Sequence, residues 1–261
     1  MKTKAPREAV LSPEEVKTIL GLCCAEGVLV GGQALAFWSD HFGVLRPQAL
    51  EFAITADADF IGDSALAKKL GEALNWKWWI PTLDDATAQT GKVTHALDDG
   101  SIKQVDLLSG VLGLTTLDVK RRAIEMDVPV IGTLRIMHPI DVLDSRIHNL
   151  DLLPAKRNPA GIAQGNLAIA MVRAFMAGEI ETRGERAALK LLERVAAVAA
   201  EPGAVRVFLL YGIDPLSAIP VEDFRTTSAL HTKRWPQITA EVNAQREEMR
   251  RLVETSKGRR K

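Results

Sequence analysis

The sequence predicts an α/β (α+β) chain, with a mixed sheet flanked by helices and then a C-terminal helical domain, on three observations. Up to about residue 150, short apolar runs bounded by Gly, Pro or Asp-Gly alternate with amphipathic stretches. Pro154 and Asn158-Pro159 then punctuate the chain. Beyond them, residues 160–177, 183–200 and 239–255 combine helical periodicity with good helix formers. The expected domains are therefore 1–153 and 154–261, the second ending in a basic, flexible tail from Ser256 to Lys261.

Element by element, Ser12-Pro13-Glu14-Glu15 starts a helix, with Ser12 as cap, Pro13 in the first helical position and acids in the first turn. That helix runs to Glu26 and Gly27 ends it. Residues 28–30 read as a short strand that stops at Gly31-Gly32, and a helix follows from Gln33 to His41. A strand is expected from Leu50 to Ile61 and a helix from Ser64 to Leu74, capped by Asp63 or Ser64. Residues 76–80 and 92–97 read as strands around a loop at 82–91. Asp99-Gly100 signals a hairpin into a strand over 102–108. A basic helical patch follows Asp118. Residues 128–131, a strand at 134–137 and a helix from Pro139 to Leu150 complete the first domain.

Composition narrows the function classes. The 261 residues carry 33 Lys+Arg against 33 Asp+Glu, a formal net charge of zero, which excludes a generic polyanion-coating protein or an acidic disordered chain. The sum hides a split: residues 1–130 hold 13 basic and 18 acidic residues, and residues 131–261 hold 20 and 15. Two cysteines, Cys23 and Cys24, are adjacent, which argues against a disulfide framework and for a reducing compartment. The N-terminal stretch lacks the apolar core of a secretory signal, and no uninterrupted apolar run suits a membrane span. The expectation is a cytoplasmic protein with no membrane partner.

Three features in order carry chemistry. Gly31-Gly32-Gln33 closes a strand and opens a helix, so a phosphate can approach the backbone and meet the helix N-terminus. Asp57 and Asp59, two apart in a strand, share one face while Ala58 and Phe60 take the other. Asp106 is a lone acid in the apolar strand Gln104-Val105-Asp106-Leu107-Leu108. Carboxylates gathered on one face repel unless a cation lies between them, and hard oxygen donors suit Mg²⁺. Three of them facing a glycine-led helix suit two Mg²⁺ ions and a nucleoside triphosphate.

This ordered set resembles the nucleotidyltransferase superfamily that includes DNA polymerase beta, in its AbiEii-like and minimal-nucleotidyltransferase branches. The resemblance rests on Gly31-Gly32, Asp57-x-Asp59 and Asp106, with Leu134–Pro139 and the helix after it, and covers about residues 12–150. It implies a nucleotidyltransferase-like sheet and a Mg²⁺-dependent transfer of a nucleoside monophosphate from an NTP. The acceptor would be a hydroxyl on RNA, on a protein or on a small molecule. Asp57 and Asp59 would hold the ion that carries the triphosphate, and Asp106 would join them on a second. Gly31, Gly32 and Gln33 would bind the phosphates. Members often act in toxin–antitoxin or phage-defence pairs, which would make an antitoxin a partner. Gly32 stands where many members have Ser. The basic residue that grips the triphosphate is assigned to Arg146, with Lys156 and Lys190 as alternatives.

Each feature has a plainer reading. Gly31-Gly32 alone is a tight turn, and Asp106 alone an edge charge. Trp76 and Trp78 share a strand face and read as packing, with Trp76, Trp78 and Trp79 as a base-stacking surface the lesser option. Lys120-Arg121-Arg122 reads as a solvated helix face. Arg246, Arg250 and Arg251 have Glu247, Glu248 and Glu254 on their own helix, so intrahelical pairing accounts for them. The alternative function is a catalytically inactive module of the same fold that binds a nucleotide or a protein.

Overall fold

The computed structural model describes residues 9–23, 26–45, 57–129, 131–225 and 229–258. Cys24, residues 50–56 of the strand expected before Asp59, and the last three basic residues lie outside the described residues. The chain forms two compact units. The first comprises residues 1–40 and 45–145, and the second residues 41–44 and 146–261.

In the first unit, helix α1 (Pro13–Cys23) opens on a reciprocal capping box. The Ser12 amide donates to Glu15 Oε2 at 2.7 Å, and the Glu15 amide donates to Ser12 Oγ at 3.3 Å. Strand β1 (Val28–Leu29) leads directly into α2, which spans Gly31–His41 and so starts two residues before the expected Gln33. Strand β2 (Asp57–Ile61) precedes α3 (Ser64–Leu74), capped by Asp63, whose Oδ1 accepts from the Leu66 amide at 2.9 Å. Then come β3 (Lys77–Trp79), β4 (Gln89–Ala96), β5 (Ile102–Leu108), α4 (Thr116–Arg122), β6 (Ile124–Val128), β7 (Gly132–Ile136) and α5 (Pro139–Leu152).

The seven strands form one mixed sheet in the order β3-β4-β5-β2-β1-β7-β6. The central pairs β2·β5 and β1·β7 are parallel, and the rest are antiparallel. Ala58, Phe60, Val105, Leu107 and Val93 are buried at alternating positions, and α3 packs across β3, β4 and β5. The Trp38 indole of α2, 2% exposed, donates to the Met137 carbonyl at 2.8 Å and ties α2 to the chain leaving β7.

Several expected boundaries move. Strand β4 begins at Gln89 rather than Lys92 and takes up the end of the expected loop. Its extra length is accommodated by a β-bulge between Gln89 and Gly91. Strand β6 was not expected, because its alternation Ile124-Glu125-Met126-Asp127-Val128 is half polar. Trp76 and Trp78 do not pack alike. Trp76, 7% exposed, stacks on His95 at 5.4 Å, while Trp78 lies over Gly71 and stays 44% exposed. Lys120-Arg121-Arg122 is not a uniformly solvated face either, since Arg122 Nε donates to the buried Asp141 at 2.9 Å.

The second unit is helical: α6 (Pro159–Arg183), α7 (Glu185–Ala200), α8 (Pro202–Tyr211) and α9 (Trp235–Gly258), with 3₁₀ turns at Pro215–Ala218 and Val221–Asp223. Helix α8 was not expected; its run Ala204-Val205-Arg206-Val207-Phe208 is nearly all apolar and lacks a clear helical stripe. Helix α6 is long and apolar enough by composition to cross a membrane. Its Leu167, Met171, Val172 and Met176 are instead buried in the unit's core with Leu192, Val195, Val205 and Val242. Arg246 is not accounted for by its own helix. Its guanidinium meets Asp214 at 2.5 Å and lies 3.7 Å from the Phe208 ring centroid.

Two consequences are testable. Trp38→Phe keeps an aromatic ring but removes the donor to a buried carbonyl and some packed volume, so urea unfolding should show a loss of about 1–3 kcal/mol. In the second unit, the Arg206 guanidinium donates to both Asp151 oxygens, at 2.7 and 2.6 Å, and holds that carboxyl below the usual carboxylate range. A depressed folded-state value contributes stability that is present above the unfolded value and lost as pH falls through the folded one. Arg206→Met should therefore unfold at lower urea than the unaltered protein at neutral pH, and the two curves should converge in acid.

Candidate active site

The site is built where β1 gives way to α2 beside β2. The Val30 amide donates to the Asp59 carbonyl at 2.9 Å, which closes the β1–β2 pairing, and the next residue already belongs to the helix. Gly31 makes that reversal with φ +66°, a left-handed conformation that favours glycine. Its hydrogen also faces the Asp59 carboxylate. A Cβ built on Gly31 would lie 2.2 Å from Asp59 Oδ2 and 3.0 Å from Asp59 Cβ. Conformation and space thus demand the same residue.

The first helical bond of α2 runs from the Ala34 amide to the Val30 carbonyl at 3.2 Å. The amides of Gly31, Gly32 and Gln33 precede it, in the turn where a helix presents its N–H groups and the positive end of its dipole. The half-buried Asp59 carboxylate is therefore placed against an anion-binding helix end.

Strand β5 supplies the next carboxylate. Parallel pairing sets Asp57 opposite Gln104 and Asp59 opposite Asp106. Neighbouring strands are about 4.8 Å apart, so the side chains of Asp59 and Asp106 share one face at adjacent positions. Asp106 is well held. The Gln89 amide group donates to Oδ1 at 2.9 Å, the Gln104 amide group donates to Oδ2 at 2.7 Å, and Lys92 Nζ stands 3.7 Å from Oδ1. The bulge in β4 makes this possible. It pairs Gln89 with Leu108 and Lys92 with Asp106, so both Gln89 and Lys92 join the carboxylate face although they are three residues apart.

The structure therefore gathers Gly31, Asp59 and Asp106, with Gly32 and Gln33 in the first turn of α2 and Asp57 at its register position on β2. Arg146 belongs to the second unit, on α5; it is 8% exposed, and its Nη1 donates to Gln164 at 3.1 Å. Gln89, Lys92 and Gln104 are additions that the motif reading did not single out. Gln104 could have been found by parity, two residues before Asp106. Lys92 required the hairpin register.

Fold and site together define a class. This is an α/β protein with a seven-stranded mixed sheet, a glycine-opened helix and carboxylates on adjacent central strands. No family model and no curated protein matches the chain. Among solved structures it is similar to the crystal structure of the Megavirus polyadenylate synthase, with a TM-score of 0.37 and 13% identity, over 69% of this chain and 38% of that one. The chain thus spans 38% of the viral enzyme's chain.

The Gly31–Asp59 contact makes a prediction. Gly31→Ala should cost about 2 kcal/mol or more, from left-handed strain and from overlap with the carboxylate. Adding Asp59→Gly should recover the overlap part but not the strain. A double-mutant cycle read by urea unfolding would return a favourable coupling; strict additivity would mean the two residues do not touch.

Proposed function

We propose that this chain is a Mg²⁺-dependent nucleotidyltransferase that moves a nucleoside monophosphate from an NTP to an acceptor hydroxyl. One observation supports the reading most: the in-register Asp59 and Asp106 on one sheet face, with Asp59 against the glycine that opens α2. The donor set fits the metal, being hard carboxylate oxygen, and Mg²⁺ takes the rest of its shell from phosphate and water. Asp57 and Asp59 would hold a Mg²⁺ that neutralises the triphosphate, and in the two-ion form of this chemistry Asp106 would hold a second that acidifies the acceptor hydroxyl.

The chain's own groups do the rest. The Gly31, Gly32 and Gln33 amides receive the outer phosphates and fix the α-phosphorus in line for attack. Asp106, beside Asp59, accepts the proton of the acceptor hydroxyl. The acceptor oxygen bonds to the α-phosphorus, the bond from that phosphorus to the bridging oxygen breaks, and pyrophosphate leaves with the electron pair. Arg146 is kept as the basic residue proposed to grip the triphosphate. RNA 3′ ends, protein hydroxyls and small molecules are all acceptors of the right chemistry.

The Lys92–Asp106 ion pair favours one second reading, a nucleotide-binding module of this fold without catalysis. The two separate in one assay. The protein is incubated with each α-labelled NTP, Mg²⁺, and total RNA or lysate, beside Asp57→Ala/Asp59→Ala and Asp106→Asn. Transfer of label that falls by about 10²-fold or more in both variants is the expected result. Calorimetry that finds Mg²⁺-dependent NTP binding without transfer supports the module, and absence of binding sinks both.

A further inference from the structure

The geometry points to Lys92 as a built-in replacement for one of the two cations: its ammonium neutralises Asp106, and the loaded site holds a single divalent ion, at Asp57 and Asp59. The inference rests on the nucleotidyltransferase reading and assigns a role to a residue outside the motifs.

The argument starts from the row across the sheet. Lys92 on β4 is directly opposite Asp106 on β5, and Asp106 is directly opposite Asp59 on β2. Opposed residues of paired strands share a face, so an ammonium and two carboxylates stand in line, ending at the glycine that opens α2. Lys92 Nζ is 3.7 Å from Asp106 Oδ1, and the side chains are 31% and 13% exposed. A lysine on an open surface would be expected to extend into water; here its head faces the carboxylate.

Both oxygens of Asp106 are occupied as well. Gln89 and Gln104 bring one N–H donor to each, from opposite sides, at 2.9 and 2.7 Å. A carboxylate given two neutral donors and an ammonium is oriented and charge-balanced before any ion arrives. Mg²⁺ binds carboxylate oxygen at about 2.0–2.1 Å and demands near-octahedral order. An ion on Asp106 would sit within a few Å of the ammonium and share each oxygen with a glutamine donor. At Asp59 the neighbourhood is different: Gly31 presents no side chain, and the helix end beyond it favours a phosphate. Asp106 is thus built around an ammonium.

In this arrangement Lys92 is a positioning residue. It holds Asp106 aimed along the row, with one positive charge where a second ion would bring two. The β4 bulge is part of the device, because it puts Gln89 on the carboxylate face together with Lys92.

The test counts ions rather than turnover. The full chain is loaded with Mn²⁺ and α,β-methylene-ATP, and bound Mn²⁺ is measured by electron paramagnetic resonance. One ion per chain is expected for the unaltered protein and for Lys92→Arg. Lys92→Met keeps the stem and removes the charge; it should bind a second ion, with spin–spin broadening from the neighbouring Mn²⁺. Lys92→Met/Asp106→Asn should return to one, which ties the second ion to Asp106. Two ions in the unaltered protein, or one in Lys92→Met, would overturn the inference while leaving the nucleotidyltransferase reading intact. No Mn²⁺ bound with nucleotide in any variant would overturn the reading and the inference together.

Discussion

The parallel register of β2 against β5 is the constraint on which the rest of this site depends. It sets Asp59 beside Asp106, and the β4–β5 hairpin extends the row to Lys92. Side chains alternate along a strand, so a slip of one residue would turn Asp59 to the face where Ala58 and Phe60 are buried. Burial of Phe60, Val105 and Leu107 therefore holds the carboxylates in place, although none of these side chains belongs to the site. The apolar face pins the register, and the register makes the polar face.

Gly31 adds the second dimension. The chain must leave β1, reverse and begin a helix within one residue, and it must do so against the Asp59 side chain. A left-handed φ and the absence of a Cβ are both required at that point. The helix end cannot drift from the carboxylate, because Trp38 anchors the far end of α2 to the Met137 carbonyl. Secondary-structure junction, the Asp59 carboxylate and core packing are thereby coupled through eight residues of helix.

Charge is balanced within each unit more than its composition suggests. The acidic excess of the first half invites an explanation by bound cations alone, yet Asp106 faces Lys92 and Asp141 faces Arg122. In the second unit, Arg206, Arg234 and Arg246 pair with Asp151, Glu193 and Asp214 on other elements. Much of the basic excess there joins helices to one another. Exposed pairs of this kind contribute little individually; Arg246, 8% exposed and stacked on Phe208, is the one best shielded from water.

By itself the sequence determined the order of elements around the motif, the helical second half, and the residue types at Gly31, Asp59 and Asp106, because these follow from local rules: capping at Ser12 and Asp63, glycine at a reversal, alternation in a strand. Which carboxylate would meet which neighbour was not legible. Asp99-Gly100 reads as a two-residue turn, and counting outward from that turn would set Lys92 opposite Leu107, on the wrong face. The loop instead holds three residues, Asp98–Gly100, closed by the Leu97 amide on the Ser101 carbonyl, and this shifts the pairing by one to bring Lys92 to Asp106. Gln89 joins them only through the bulge. Loop length and bulge position are settled by how β4 packs between β3, β5 and α3. That is a balance of contacts distant in sequence, so the tertiary structure alone decided that the third carboxylate comes with a lysine.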